Sequence, residues 1–183
     1  MAQAYRQRHP SMPGRLPWSP PPRYYTGHMS TVRTWQTEST SLEATLNLAA
    51  EIGHKMRGGE VIELVSDLGG GKTAFVRGLA RGMGSADAVR SPSFTLGNQY
   101  RAGDLTLYHF DFYRLDTPGI MRDELAEIIA DPQAVVAVEW GKIVGDVLPA
   151  RRLTIHIKAL TENRRDLTFS YPDSLDYLVP YNT

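Results

Sequence analysis

Between Glu60 and Gly84 the chain reads E-V-I-E-L-V-S-D-L-G-G-G-K-T-A-F-V-R-G-L-A-R-G-M-G, and no other stretch constrains the fold as tightly. Val61, Ile62, Leu64 and Val65 form an apolar run of strand length. Gly69, Gly70 and Gly71 cannot extend it, because glycine loses the most conformational freedom when held in regular structure. From Ala74 onward, Phe75, Val76, Leu79 and Met83 fall at helical spacing. The order is strand, glycine loop, helix.

Such a loop suits a polyphosphate. Consecutive glycines let backbone N–H groups turn inward around phosphate oxygens, and the start of the next helix adds the positive end of its dipole. Lys72 would reach the β and γ phosphates, and the Thr73 hydroxyl would ligate Mg²⁺. The run departs from G-x-x-x-x-G-K-[ST] at one position, where Ser66 stands for the first glycine; serine is small enough for a tight turn.

At 183 residues with 42% hydrophobic content, the chain amounts to about one domain with a proper core. The absence of cysteine excludes a disulfide framework, a thiolate metal site and a cysteine nucleophile, and fits a reducing compartment such as the cytoplasm. No run of 18 apolar residues occurs, so a transmembrane helix is not expected. The net charge of zero hides an asymmetry. Residues 1–28 hold Arg6, Arg8, Arg15 and Arg23 without an acid, leaving 16 basic against 20 acidic residues in the remainder. An acidic body does not bind nucleic acid unaided, because phosphate neutralisation needs a basic face.

Six of the twelve prolines lie within residues 1–30, where no apolar periodicity occurs, so this Pro/Arg-rich leader is expected to be disordered. Its prolines oppose the amphipathic helix of a transit peptide, and an upstream extension or an artificially added leader, with Met29 as the start, is preferred. Thr40-Ser41-Leu42-Glu43 has capping-box spacing, and Leu42, Thr45, Leu46, Ala49, Ile52 and Met56 recur on one helical face until Gly58 and Gly59. Beyond the Pro-broken segment Arg90–Leu96, strands are predicted over 96–101 and 105–110, with Ala102-Gly103-Asp104 as a hairpin turn. A helix is predicted over 119–130, with Leu125, Ile128 and Ile129 inward and Asp131-Pro132 as its stop. Ala134–Val138 reads as a buried parallel strand, and strands over 153–157 and 166–171 flank a polar turn. The expected organisation is a leader over 1–30, a P-loop ATPase domain over 31–172 and a C-terminal tail over 173–183. The expected fold is α/β, a three-layer P-loop NTPase arrangement whose central, mostly parallel sheet carries antiparallel strands.

Hydrolysis also requires a carboxylate near Mg²⁺, at the C-terminal tip of a strand beside the loop. Two apolar strands end in an acid, one at Glu139 and one at Asp111. Four stretches then occur together in a family-specific order: Asp67–Thr73, Ser91-Pro92-Ser93-Phe94-Thr95-Leu96, Tyr108-His109-Phe110-Asp111-Phe112-Tyr113-Arg114-Leu115, and Val138-Glu139-Trp140 with Leu148-Pro149 behind. Over roughly residues 36–170 the chain resembles the TsaE family of YjeE-like P-loop ATPases.

The resemblance implies an ATPase serving threonylcarbamoyl transfer onto the adenosine beside the anticodon of tRNAs that read codons beginning with A. It implies ATP and Mg²⁺ as cofactors, TsaD and TsaB as protein partners, tRNA contact only through that complex, and no membrane. Hydrolysis would reset the complex between turnovers. Residue by residue, Lys72 becomes the phosphate lysine, Thr73 and Glu139 the Mg²⁺ pair, and Asp111 the acid that positions water or metal-bound water. Gly69, Gly70, Gly71, Ala74, Thr95 and Trp140 would complete the nucleotide contacts, with Ser91–Thr95 as a switch-like loop. Phe94, Phe112 and Tyr113 read as core residues, and His109 as a structural strand residue. Three positions depart from the family pattern, which usually has Gly at Ser66, Thr at Ala74 and a Gly near Ala126.

Two other classes compete. A small P-loop metabolite kinase needs an Arg-rich lid, and Gly119–Asp131 offers only Arg122; a nucleotide-gated adaptor with little hydrolysis is consistent with Ser66 and Ala74. A guanine-reading N-K-x-D motif is absent, which argues against a GTPase.

Overall fold

The glycine loop follows the strand at the middle of a seven-stranded sheet. The computed structural model describes residues 31–117 and 119–181, so the expected leader lies outside them. In chain order the strands are β1 (Val32–Ser39), β2 (Val61–Val65), β3 (Gly97–Ala102), β4 (Leu105–Asp111), β5 (Ala134–Glu139), β6 (Leu153–Ala159) and β7 (Arg165–Pro172). Their spatial order is β1-β7-β6-β2-β5-β4-β3. The central four, β6, β2, β5 and β4, run parallel, and antiparallel pairings add β7 and β1 at one edge and β3 at the other. This is the expected α/β sheet, and it brings the C-terminal tips of β2, β4 and β5 to one rim.

Helices α1 (Leu42–His54) and α2 (Lys72–Met83) cover one face, where Ile52, Phe75, Val76 and Leu79 pack against Leu64, Ile155 and Phe169. The α1 cap is one residue later than expected: Ser41, in extended conformation, accepts from the Ala44 N–H at 3.0 Å. Leu42 is consequently exposed, and Leu48 takes a core position. The two helices approach closely because glycines line their contact. A Cβ on Gly82 would stand 2.0 Å from the Ala50 carbonyl oxygen, and one on Gly53 would stand 2.2 Å from that of Leu79.

On the other face, α3 (Met121–Ala130) and a 3-10 turn at Gly141–Val144 pack Leu125 and Val144 onto Phe110, Phe112, Val136 and Val138. The third layer ends there. Over β6, Leu153, Ile155 and Ile157 point into the α1–α2 core, whereas Thr154, His156 and Lys158 face a cleft of about 810 Å³ on the uncovered side.

Two segments differ from the reading of the sequence. Val32–Ser39 forms the edge strand β1, paired with β7 from Val32 opposite Pro172 to Ser39 opposite Arg165. Trp35 anchors it, its ring centroid 4.9 Å from that of Phe169. Residues 173–181, read as a tail, begin with a 3-10 turn over Asp173–Leu178 that buries Leu175 and Leu178 in the larger core cluster. Among the described residues no helix is long and apolar enough to cross a membrane.

Candidate functional site

The loop between β2 and α2 opens onto a cleft of about 280 Å³ at the C-terminal rim of the sheet. Gly71 makes the turn into the helix. Its φ of 113° lies in the left-handed region, and it offers no side-chain cap to α2. The N-terminal N–H groups of that helix are therefore left for whatever enters the cleft. Gly70 is required by a close approach: its Cβ would meet Ser66 Oγ at 2.4 Å and Ser66 Cβ at 2.8 Å. Arg165, at the start of β7, donates from Nε to the Gly70 carbonyl at 3.0 Å and from Nη1 to the carbonyls of Thr161 and Glu162.

Lys72 is only 5% exposed. Its ammonium donates to the Ser66 carbonyl at 3.2 Å, to Ser66 Oγ at 3.2 Å and to the Asp67 carbonyl at 3.1 Å. It also lies 4.5 Å from the centroid of the Trp140 ring. Burial pushes the ammonium below the ordinary lysine range, an effect that Glu139, Asp111 and Asp67 partly offset. A strongly hydrated cation is thus kept out of water beside three backbone and side-chain acceptors that an anion would replace.

The two acids stand side by side, because parallel pairing sets Asp111 of β4 opposite Glu139 of β5. Glu139 Oε1 accepts from Thr73 Oγ1 at 3.2 Å, tying the start of α2 to the end of β5. The same oxygen lies 2.8 Å from His109 Nε2. Asp111 is buried, accepting from the Tyr113 N–H through Oδ1 and from the Ser93 hydroxyl through Oδ2. Directly after Glu139 the backbone turns through a left-handed residue that is not glycine, Trp140 with φ 59°. That conformation costs about 1–3 kcal/mol. It is held where the indole meets both Lys72 and the Tyr113 ring, whose centroid is 5.0 Å away.

Residues 39–167 match the family described as threonylcarbamoyl adenosine biosynthesis protein TsaE. The chain belongs to the TsaE family. Two relatives are named tRNA threonylcarbamoyladenosine biosynthesis protein TsaE. The one from Bacillus subtilis (strain 168) is 38% identical over 142 residues, covering 75% of this chain and 83% of the relative. The one from Treponema pallidum (strain Nichols) is 37% identical over 130 residues, covering 71% and 96%. A crystal structure of Bacillus subtilis YdiB matches with a TM-score of 0.65 at 31% identity, over 79% of this chain and 89% of that one.

Most residues that the TsaE resemblance nominated come together. Gly69, Gly70, Gly71, Lys72, Thr73, Ala74, Asp111, Glu139 and Trp140 all line the cleft. Thr95 does not: the chain turns over Pro92–Leu96, and the Thr95 hydroxyl donates to Asn98 Oδ1 at 3.2 Å, with the Pro92 carbonyl 3.4 Å away as the alternative acceptor. Two residues read as core lie elsewhere. Phe94 is 84% exposed with the Arg114 guanidinium over its ring at 4.4 Å, and Tyr113 is 50% exposed and lines the cleft. Phe112 is buried in the core as expected. His109, read as structural, contacts a site acid. Its position two residues before Asp111 on an alternating strand was the available signal, since period two places both on one face. Arg165 had no such signal, because it reaches Gly70 across 95 residues.

Proposed function

We propose that this chain is the ATP-hydrolysing accessory subunit of tRNA threonylcarbamoyladenosine synthesis, acting with TsaD and TsaB and meeting tRNA only through them, in the cytoplasm. Family membership supports the pathway. The observation that carries the ATPase reading is the bond from Thr73 to Glu139, which joins the phosphate loop to a buried carboxylate beside Lys72.

In this reading the loop N–H groups and Lys72 bind the β and γ phosphates, with Lys72 exchanging its bonds to Ser66 and Asp67 for phosphate oxygens. A hydroxyl and a carboxylate are oxygen donors, the kind of set that a hard cation such as Mg²⁺ takes. Thr73 and Glu139 would hold it, and the bound ion would neutralise charge developing on the phosphates. Asp111, its carboxylate oriented by Ser93 and the Tyr113 N–H, orients the attacking water. Trp140 and Tyr113 line the cleft and would form a wall beside the bound phosphates.

The nucleotide-gated adaptor is the second reading, favoured by the extra hold that the Ser66 hydroxyl has on Lys72. The kinase is poorly supported, since the segment read for its lid forms α3 with one arginine, Arg122, in an exposed pair with Asp146 at 2.6 Å. Reconstituted threonylcarbamoyl transfer onto tRNA with TsaB and TsaD, run over many turnovers with and without this chain, tests the proposal. Multiple turnover should require the chain and ATP hydrolysis. Lys72→Ala should abolish both binding and hydrolysis, and Asp111→Asn should cut turnover at least tenfold while changing ATP affinity little. Full support of transfer without ATP consumption would establish the adaptor instead.

A further inference from the structure

His109 is completely buried, yet its ring has one polar contact, Nε2 to Glu139 Oε1 at 2.8 Å. Nδ1 is buried without a hydrogen-bond partner among the described residues. Burying an unpaired imidazole nitrogen carries a desolvation cost that an apolar side chain would avoid. The strand otherwise places the apolar Leu107 on this face, fully buried two residues earlier. Packing alone therefore does not account for histidine at this position.

The geometry gives it another role. With its N–H on Nε2 the imidazole is the donor in this contact and the Glu139 oxygen the acceptor. Register sets His109 opposite Ala137, two residues before Glu139 on the same face of β5. His109 is fully buried whereas Thr73 lines the cleft, and both bonds end on Oε1. Neither engages Oε2. Were Thr73 and Glu139 to hold a cation, the Thr73 hydroxyl would be drawn to it, and His109 would be left as the protein partner of the Glu139 carboxylate.

We propose that His109 is a positioning residue that holds the Glu139 carboxylate in the orientation needed for the nucleotide-bound cation. The inference rests on the reading of Thr73 and Glu139 as the Mg²⁺ pair. Outer partners of metal ligands fix ligand orientation, and losing one typically lowers metal affinity by about 10–100-fold.

The test separates reach from polarity. Gln at position 109 carries an amide donor at about the distance of Nε2, while Asn carries the same group one bond short. Binding of a fluorescent ATP analogue to the full chain would be titrated with Mg²⁺ and repeated in EDTA, with thermal unfolding of the nucleotide-free proteins alongside. His109→Gln should keep the wild-type Mg²⁺ requirement within about threefold, and His109→Asn should raise it about tenfold or more. Affinity in EDTA should stay within about twofold for both. If His109→Asn fails to fold, His109→Leu takes its place with the same expected rise. Equal Mg²⁺ requirements for the two amide variants, whether at the wild-type level or both raised, overturn the proposal. Binding by the wild type that ignores Mg²⁺ overturns the metal reading and this inference together, whereas wild-type dependence that the variants share unchanged overturns this inference alone.

Discussion

Ser66 and Gly70 show how a single departure from a motif is absorbed. Ser66 occupies a place where the family usually has glycine, and its side chain fills the space that a Cβ at position 70 would need. It also donates to the Asp67 carbonyl at 2.9 Å and accepts from Lys72. The loop keeps its shape because one position carries the side chain and the other carries none. Gly70→Ala should weaken nucleotide binding about tenfold, and adding Ser66→Gly should restore much of it. The coupling between the two changes should be on the order of 1–2 kcal/mol, in the range for contacting residues. Independent, additive effects in a double-mutant cycle of nucleotide affinities would refute the contact as the cause.

At the level of elements, the contact of α1 with α2 sets how the phosphate loop is carried. Gly82 faces the Ala50 backbone, so a methyl group there meets atoms that move only if the helix moves. Gly82→Ala gains up to about 1 kcal/mol of helix propensity. Overpacking costs about 1–3 kcal/mol, so the net change in urea unfolding should be destabilising. A variant more stable than the wild type would show that the helices part without cost. The elements legible in the sequence were those with undiluted local signals. The apolar runs Val61–Val65 and Ala134–Val138 and the hairpin around Gly103 fall where expected. The strand β1 was not legible, because Thr34, Gln36 and Glu38 alternate on an exposed edge and Trp35 is its one apolar side chain packed against the core. Thr40 and Ser41 are both good caps, and only packing chooses between them. The site follows the same rule. Residues fixed by spacing within the loop were identifiable, while His109 with Glu139 and Arg165 with Gly70 depend on contacts across 30 and 95 residues.

For the molecule as a whole, the segment after β7 closes the base of the sheet opposite the cleft rim. Tyr177 donates to buried Glu60 at 2.5 Å, and Glu60 also accepts from the N–H groups of Arg57 and Gly58. Burial first, and then the bond to Glu60, push the Tyr177 hydroxyl up to about 12 from an ordinary value of 10.0. The folded state therefore holds this proton more tightly than the unfolded chain, so the contribution is fully present below pH 10.0 and is lost as pH rises toward about 12. Tyr177→Phe should cost about 1 kcal/mol at pH 8, the usual worth of a hydrogen bond. The gap to the wild type should narrow in urea unfolding at pH 10.5, and a gap that stays constant or widens would contradict the linkage. The pairing of β1 with β7 also bears on how the chain is made. Gln36 precedes its partner Asp166 by 130 residues. At about 5–20 residues per second, a ribosome delivers the first strand on the order of ten seconds before the strand that will receive it. During that interval the edge of β1 that will meet β7 is unpaired, the kind of surface that recruits strands from other chains. The polar alternation that conceals Val32–Ser39 from a reader of the sequence is also what lets it wait in water without sticking to its neighbours.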